Sequence, residues 1–169
     1  MRIRYLLTTR FNNETWFQNE QYRNRYPSIK CVYGSPQSMA PKIYPRLTVF
    51  VAEMNNDTNQ VLGIGLIKNE PHPRFDHVPY TNGNFNRFVF TGSYRLDRGE
   101  LDQAVVEILD YILFKEKTHM KRGAGFTTVP EKLLYHRKCE GLDILQELNR
   151  AFVDKYKFAN NEITKRFST

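Results

Sequence analysis

The sequence predicts an α+β fold: a small curved β-sheet or barrel with helices concentrated in the C-terminal half. Three observations carry this. Short β-prone runs separated by turn clusters fill residues 1–96. Helix-spaced apolar residues begin only after Leu96. Strands gathered first and helices last argue against a doubly wound sheet, and closing the strands into a barrel would remove exposed edges.

The elements follow in order. RIRYLLT (2–8) is the first strand, and Asn12 or Asn13 can cap a short helix carrying Trp16, Phe17 and Tyr22. IKCVY (29–33) is a second strand, closed by GSPQ. After a proline-marked loop, RLTVFVAEM (46–54) and QVLGIGLIKN (60–69) form a hairpin around NNDTN. Gly63 and Gly65 share one face of that strand, so a helix or a ligand is expected close to its backbone. Residues 70–86, with three prolines and an Asn-Gly, form an irregular loop. RFVFTGSYRL (87–96) returns to strand, with a bulge or bend at Gly92.

Asp97 and Glu100 have capping-box spacing ahead of a helix whose stripe includes Leu101, Val105, Ile108 and Ile112. Pro130 opens a short helix, PEKLLYHR, which Gly141 ends. A last helix runs from Leu142 to about Phe158, with Leu145, Leu148, Phe152 and Tyr156 on one face. A single domain, 1–169, is expected, with a strand-rich half (1–96), a helical half (97–158) and a loose basic tail (159–169).

Twenty-five Lys and Arg against 18 Asp and Glu give a net charge of +7, which favours a polyanionic partner such as RNA or DNA. Cys31 and Cys139 stand far apart without ligand spacing, consistent with packed thiols in a reducing compartment. The only apolar run near the start, Tyr5–Leu7, is too short for a signal peptide or membrane span. The expected location is intracellular, in cytoplasm or nucleus or packaged in a virion, without a membrane partner.

No catalytic constellation emerges: no nucleophile elbow is present, and Glu107 and Asp110 belong to a solvated helix face. His72 and His77 with Asp76 read as solvated loop residues, so neither a metal nor a cofactor is expected. The stretch KTHMKRGAGFTTVPEKLL (117–134) is the strongest binding signal. Lys117, Lys121 and Arg122 supply charge, Gly123 and Gly125 open the backbone to an anion, and Thr127 and Thr128 add hydroxyls before a helix. Together with Arg137, and with His119 and His136 flanking the stretch, these could hold phosphates. The alternative is a hinge whose lysines complement the preceding helix.

SIKCVYGSP (28–36) resembles the segment of the PUA-like superfamily, in its YTH branch, where a strand delivers a cage tryptophan before Ser-Thr-Pro. RLTVFVAEMNNDTNQVLGIGLIKN is similar to the hairpin of that superfamily, which includes the EVE branch. The resemblance covers roughly residues 1–96. It implies a barrel that binds nucleic acid and reads a modified or flipped base, with Tyr33 in the aromatic place, Ser35 after it and Trp16 as a second stacking surface. Tyr33 stands where tryptophan is usual, and the helical half has no counterpart in the family pattern. The overall idiom also resembles uncharacterised proteins of large DNA viruses. A structural or interaction protein, such as an internal virion component using loop 71–85 as its protein contact, is the alternative.

Overall fold

The computed structural model describes residues 3–73, 78–115, 117 and 120–157. Its strands are β1 (Leu6–Phe11), β2 (Cys31–Ser35), β3 (Thr48–Asn55), β4 (Gln60–Lys68), β5 (Phe88–Gly92), β6 (Tyr94–Asp97) and β7 (Thr127–Thr128). Its helices are α1 (Asn13–Arg25), α2 (Gln103–Asp110), α3 (Glu131–Leu134) and α4 (Ile144–Tyr156). The α+β class holds, with three of the four helices after the strands of the first half. Among the described residues the sheets do not close into a barrel. Five strands form a mixed sheet ordered β6-β4-β3-β1-β7, and β2 pairs with β5 in a second, two-stranded sheet.

The hairpin β3–β4 is present, with Asn59 in the left-handed conformation that its turn requires. β1 lies parallel to β3, from Leu6 opposite Phe50 to Phe11 opposite Asn55. Every residue of β3 is buried because both faces of the central strand are covered. On one face Phe50, Ala52 and Met54 meet the apolar side of α2 and α4 through Val105, Leu109, Leu148 and Phe152. On the other, Val49 and Val51 meet the second sheet through Tyr33 and Phe90. α1 serves that sheet's outer side, where Tyr22 packs with Val32 and Val89.

Local chemistry sets several boundaries. Asn12 caps α1 by accepting from the Thr15 amide, in a reciprocal box with the Thr15 hydroxyl. The Asp97–Glu100 box closes only one tight turn, and α2 starts later under Asp102. α2 widens over Tyr111–Lys115 into a π-type turn. The 87–96 run is two strands, not one: Gly92 lies against the Leu66 carbonyl where no Cβ fits, and the chain there passes from the second sheet to the first.

Gly63 and Gly65 do admit a close neighbour, but it is neither helix nor ligand. A Cβ on Gly65 would meet the Tyr33 hydroxyl, and one on Gly63 would meet Arg95 and Glu53. In the β3–β4 pairing the register shifts here, so that Leu62 and Gly63 bulge opposite Glu53. The space holds a buried carboxylate. Arg95 donates to both Glu53 oxygens, with Nη2–Oε1 at 2.6 Å, and the Tyr33 hydroxyl donates to Oε2 at 2.7 Å.

Glu53→Gln leaves the buried Arg95 with only the exposed Asp97 as counter-charge. We expect a loss of about 3–5 kcal/mol by urea denaturation; a variant as stable as the parent would show the pair to be dispensable. Burial, then the Glu53 charge, holds the Tyr33 hydroxyl well above its ordinary 10 and pushes the Cys31 thiol up to about 12. Both groups are held neutral, so their contribution is complete below the values of the unfolded chain, 9 for Cys and 10 for Tyr. It is lost as pH rises past them. The urea midpoint is expected to fall above about pH 9, and a midpoint flat through pH 11 would contradict this.

Candidate nucleic-acid interface

The parallel pairing of β1 and β3 puts the ends of both strands on one rim, with the Asn56 amide donating to the Phe11 carbonyl at 2.8 Å. α1 starts from that rim at Asn13, and β7, antiparallel to β1, brings residues 123–125 alongside Arg10. Between them opens a cleft of about 240 Å³, room for one planar ring rather than a drug-sized ligand. Phe11, Tyr80 and Phe85 contribute its aromatic lining, with Gly34 and the glycine loop beside them. Tyr80 is fixed by Asn19, whose amide donates to its hydroxyl, and Phe85 meets the Tyr80 ring edge-on at 6.4 Å.

Arg10 supplies the charge. Its guanidinium donates to the carbonyls of Met120, Gly123 and Gly125 and to the Thr127 hydroxyl, at 2.7–3.2 Å. No carboxylate pairs with it among the described residues. Burial without a counter-charge lowers its pKa from the ordinary value. Nearby, Asn56 donates to the Lys121 carbonyl while its own Oδ1 is buried and accepts nothing from the described residues. The sequence reading missed Arg10 and Asn56. A cation inside the strand-like run LLTTRF was the one signal that could have marked the first.

The expected stacking residues do not line this cleft. Tyr33 is fully buried: its hydroxyl is committed to Glu53 and its ring meets Phe126 edge-on. Ser35 is also buried, donates to the Gln37 carbonyl and braces Gly125. Trp16 packs edge-on against Phe11 and carries the guanidinium groups of Arg23 and Arg95 over its ring at 5.0 and 5.4 Å, so its π-surface is already engaged.

The loop expected to grip an anion turns carbonyls inward and grips the protein's own cation. Gly123 and Gly125 have positive φ, as a loop with free backbone geometry requires, but their carbonyls go to Arg10. Thr127 belongs to β7 and spends its hydroxyl on Arg10, while Thr128 pairs with Leu7. Lys121 keeps its ammonium on Asn59, at 2.7 Å, outside the cleft lining. Lys117, Arg122 and Arg137 are exposed. Asp76, His77, His119 and the tail 159–169 lie outside the described residues.

No protein-family model, curated protein or solved structure matches the chain. Among the described residues no helix is long and apolar enough to cross a membrane.

Arg10→Lys keeps the charge but loses the planar fork that reaches three carbonyls and two hydroxyls. We expect faster hydrogen exchange at the Val129 amide, which closes β7 onto the Leu6 carbonyl, with the rest of the sheet unchanged. Undiminished protection there would show that the loop holds itself.

Proposed function

We propose that the chain is a nucleic-acid-binding module that takes one base of an RNA or DNA strand, flipped or modified, into this cleft. The observation that carries the reading is an aromatic-lined cleft containing a guanidinium that no carboxylate of the described residues pairs with, on a chain of net charge +7. A flat base suits the ring walls, and a desolvated cation favours a ligand that brings negative charge. The base-holding residues on this reading are Phe11, Tyr80 and Phe85. Tyr33 and Trp16 act behind them. Lys117, Lys121, Arg122 and Arg137 are the cations available to phosphates.

Membership of the PUA-like superfamily belongs to the same proposal. Its support is the β1-α1-β2-β3-β4 order over the stretch where the sequence resemblance runs. An intracellular or virion-interior setting fits the two free, buried cysteines. The alternative, a structural or interaction protein contacting partners through 71–85, has less support: in that loop Pro79 and Tyr80 turn inward and Tyr80 lines the cleft.

Fluorescence polarisation with labelled single-stranded oligonucleotides tests the reading. Phe85→Ala, at a half-buried ring on the cleft wall, should weaken binding by about 1–3 kcal/mol. Replacing Lys121 and Arg122 together with Ala should weaken all sequences alike and flatten the slope of log affinity against log salt by about 1.4. Absence of binding to any oligonucleotide, or binding indifferent to salt, would move the function to the interaction class.

A further inference from the structure

Residues 111–140 carry seven of the chain's 25 basic residues but three of its 18 acidic ones, so more than half the net charge lies in less than a fifth of the sequence. The fold closes this segment on itself. His136, near its end, packs on the Tyr111 ring at its start, 5.8 Å between centroids, and the Lys138 ammonium lies 5.0 Å from that ring. Beneath, Met120, Leu133, Leu134 and Cys139 are buried in the core shared with α2 and α4. The cations therefore project outward: Lys115, Lys117, Arg122, Lys132, Arg137 and Lys138 are all exposed. Tyr135 stands among them at 71% exposure, a large ring with no burial to explain it. The lobe is continuous with the cleft, because the Lys121 carbonyl accepts from Asn56 and its ammonium donates to Asn59 in the β3–β4 turn.

We infer that this lobe is a second contact surface for single-stranded nucleic acid: it holds the phosphates flanking the nucleotide in the cleft and stacks one further base on Tyr135. The inference rests on the nucleic-acid reading of the cleft and extends it. Exposed cations around an exposed tyrosine combine the two elements that sequence-tolerant strand binding uses, an electrostatic track and a stacking platform. A folded protein partner would call for apolar anchors, which the described residues of this surface lack apart from the tyrosine.

The test compares single-stranded homopolymers of about 4 and about 16 nucleotides, the span of such sites, by fluorescence anisotropy with the full chain. Replacing Lys132, Tyr135 and Lys138 together with Ala should lower affinity for the longer strand roughly tenfold or more. It should reduce that strand's salt slope by about 1.4 and leave the short strand's affinity unchanged. Lys30→Ala with Lys42→Ala, exposed cations elsewhere on the chain, controls for net charge. A longer strand that is unaffected, or that loses no more than in this control, overturns the inference, and so does equal loss for both lengths. If Phe85→Ala changes nothing while the lobe variant still loses the longer strand selectively, the lobe stands and the cleft reading falls. If the parent binds neither strand, both fall.

Discussion

The arrangement depends on a carboxylate that water does not reach. Removing a carboxylate and a guanidinium from solvent costs several kcal/mol each, recovered only when the geometry between them is close and the remaining lone pairs are filled. Glu53 meets those conditions through a two-nitrogen contact from Arg95 and a hydroxyl from Tyr33. These three residues come from three strands and both sheets, so the network fixes where β2 crosses the central sheet. Gly63 and Gly65 are small because the network occupies the volume their side chains would fill. Trp16 extends the same line of contacts: Arg95 lies over its ring, and its edge meets Phe11 at the cleft.

The cleft has a different origin, in the one parallel strand pair among the described residues. An antiparallel neighbour would send the end of β3 to the opposite rim from the end of β1. Parallel pairing instead brings Phe11 beside Asn55, so that a strand end, a turn and a helix start converge. Gly34 and Gly125 shape the cleft's walls by letting their neighbours close in on the backbone. At Gly34 a Cβ would strike Tyr80 and the Phe85 backbone, and at Gly125 it would strike Ser35. Small residues therefore set the shape, and aromatic ones the chemistry.

Much of the fold was legible because its signals are local. Alternation marked β3, the Asn-rich turn marked the hairpin, and helical spacing marked α2 and α4. β7 left no such mark: it is two threonines long and exists only because β1 offers an edge more than a hundred residues earlier in the chain. The stacking role given to Tyr33 failed for a related reason. An aromatic residue before Gly-Ser can serve a pocket or a core, and the carboxylate that decides the matter lies twenty residues on. Ser35 followed it into the interior. The glycine loop was legible as a special backbone but not in its polarity, since a positive φ can turn either an amide or a carbonyl toward a neighbour. Arg10, 113 residues from Gly123, makes that choice.

Arg10 joins the cleft to the basic lobe electrostatically. Three carbonyl dipoles and two hydroxyls solvate its charge without cancelling it, which is why burial still lowers its pKa. A guanidinium has five N–H donors. Nε donates to Gly123, Nη1 to Met120, Thr127 and Thr8, and Nη2 to Gly125, so among the described residues one Nη2 N–H stays open on a group that lines the cleft. An anionic or carbonyl group entering the cleft can take that donor without disturbing the loop. It would also strengthen the polarisation of the carbonyls that hold it. On the proposed reading, ligand binding and loop order would favour each other, and Lys121 and Arg122, carried on the same loop, would be positioned by the Arg10 contact.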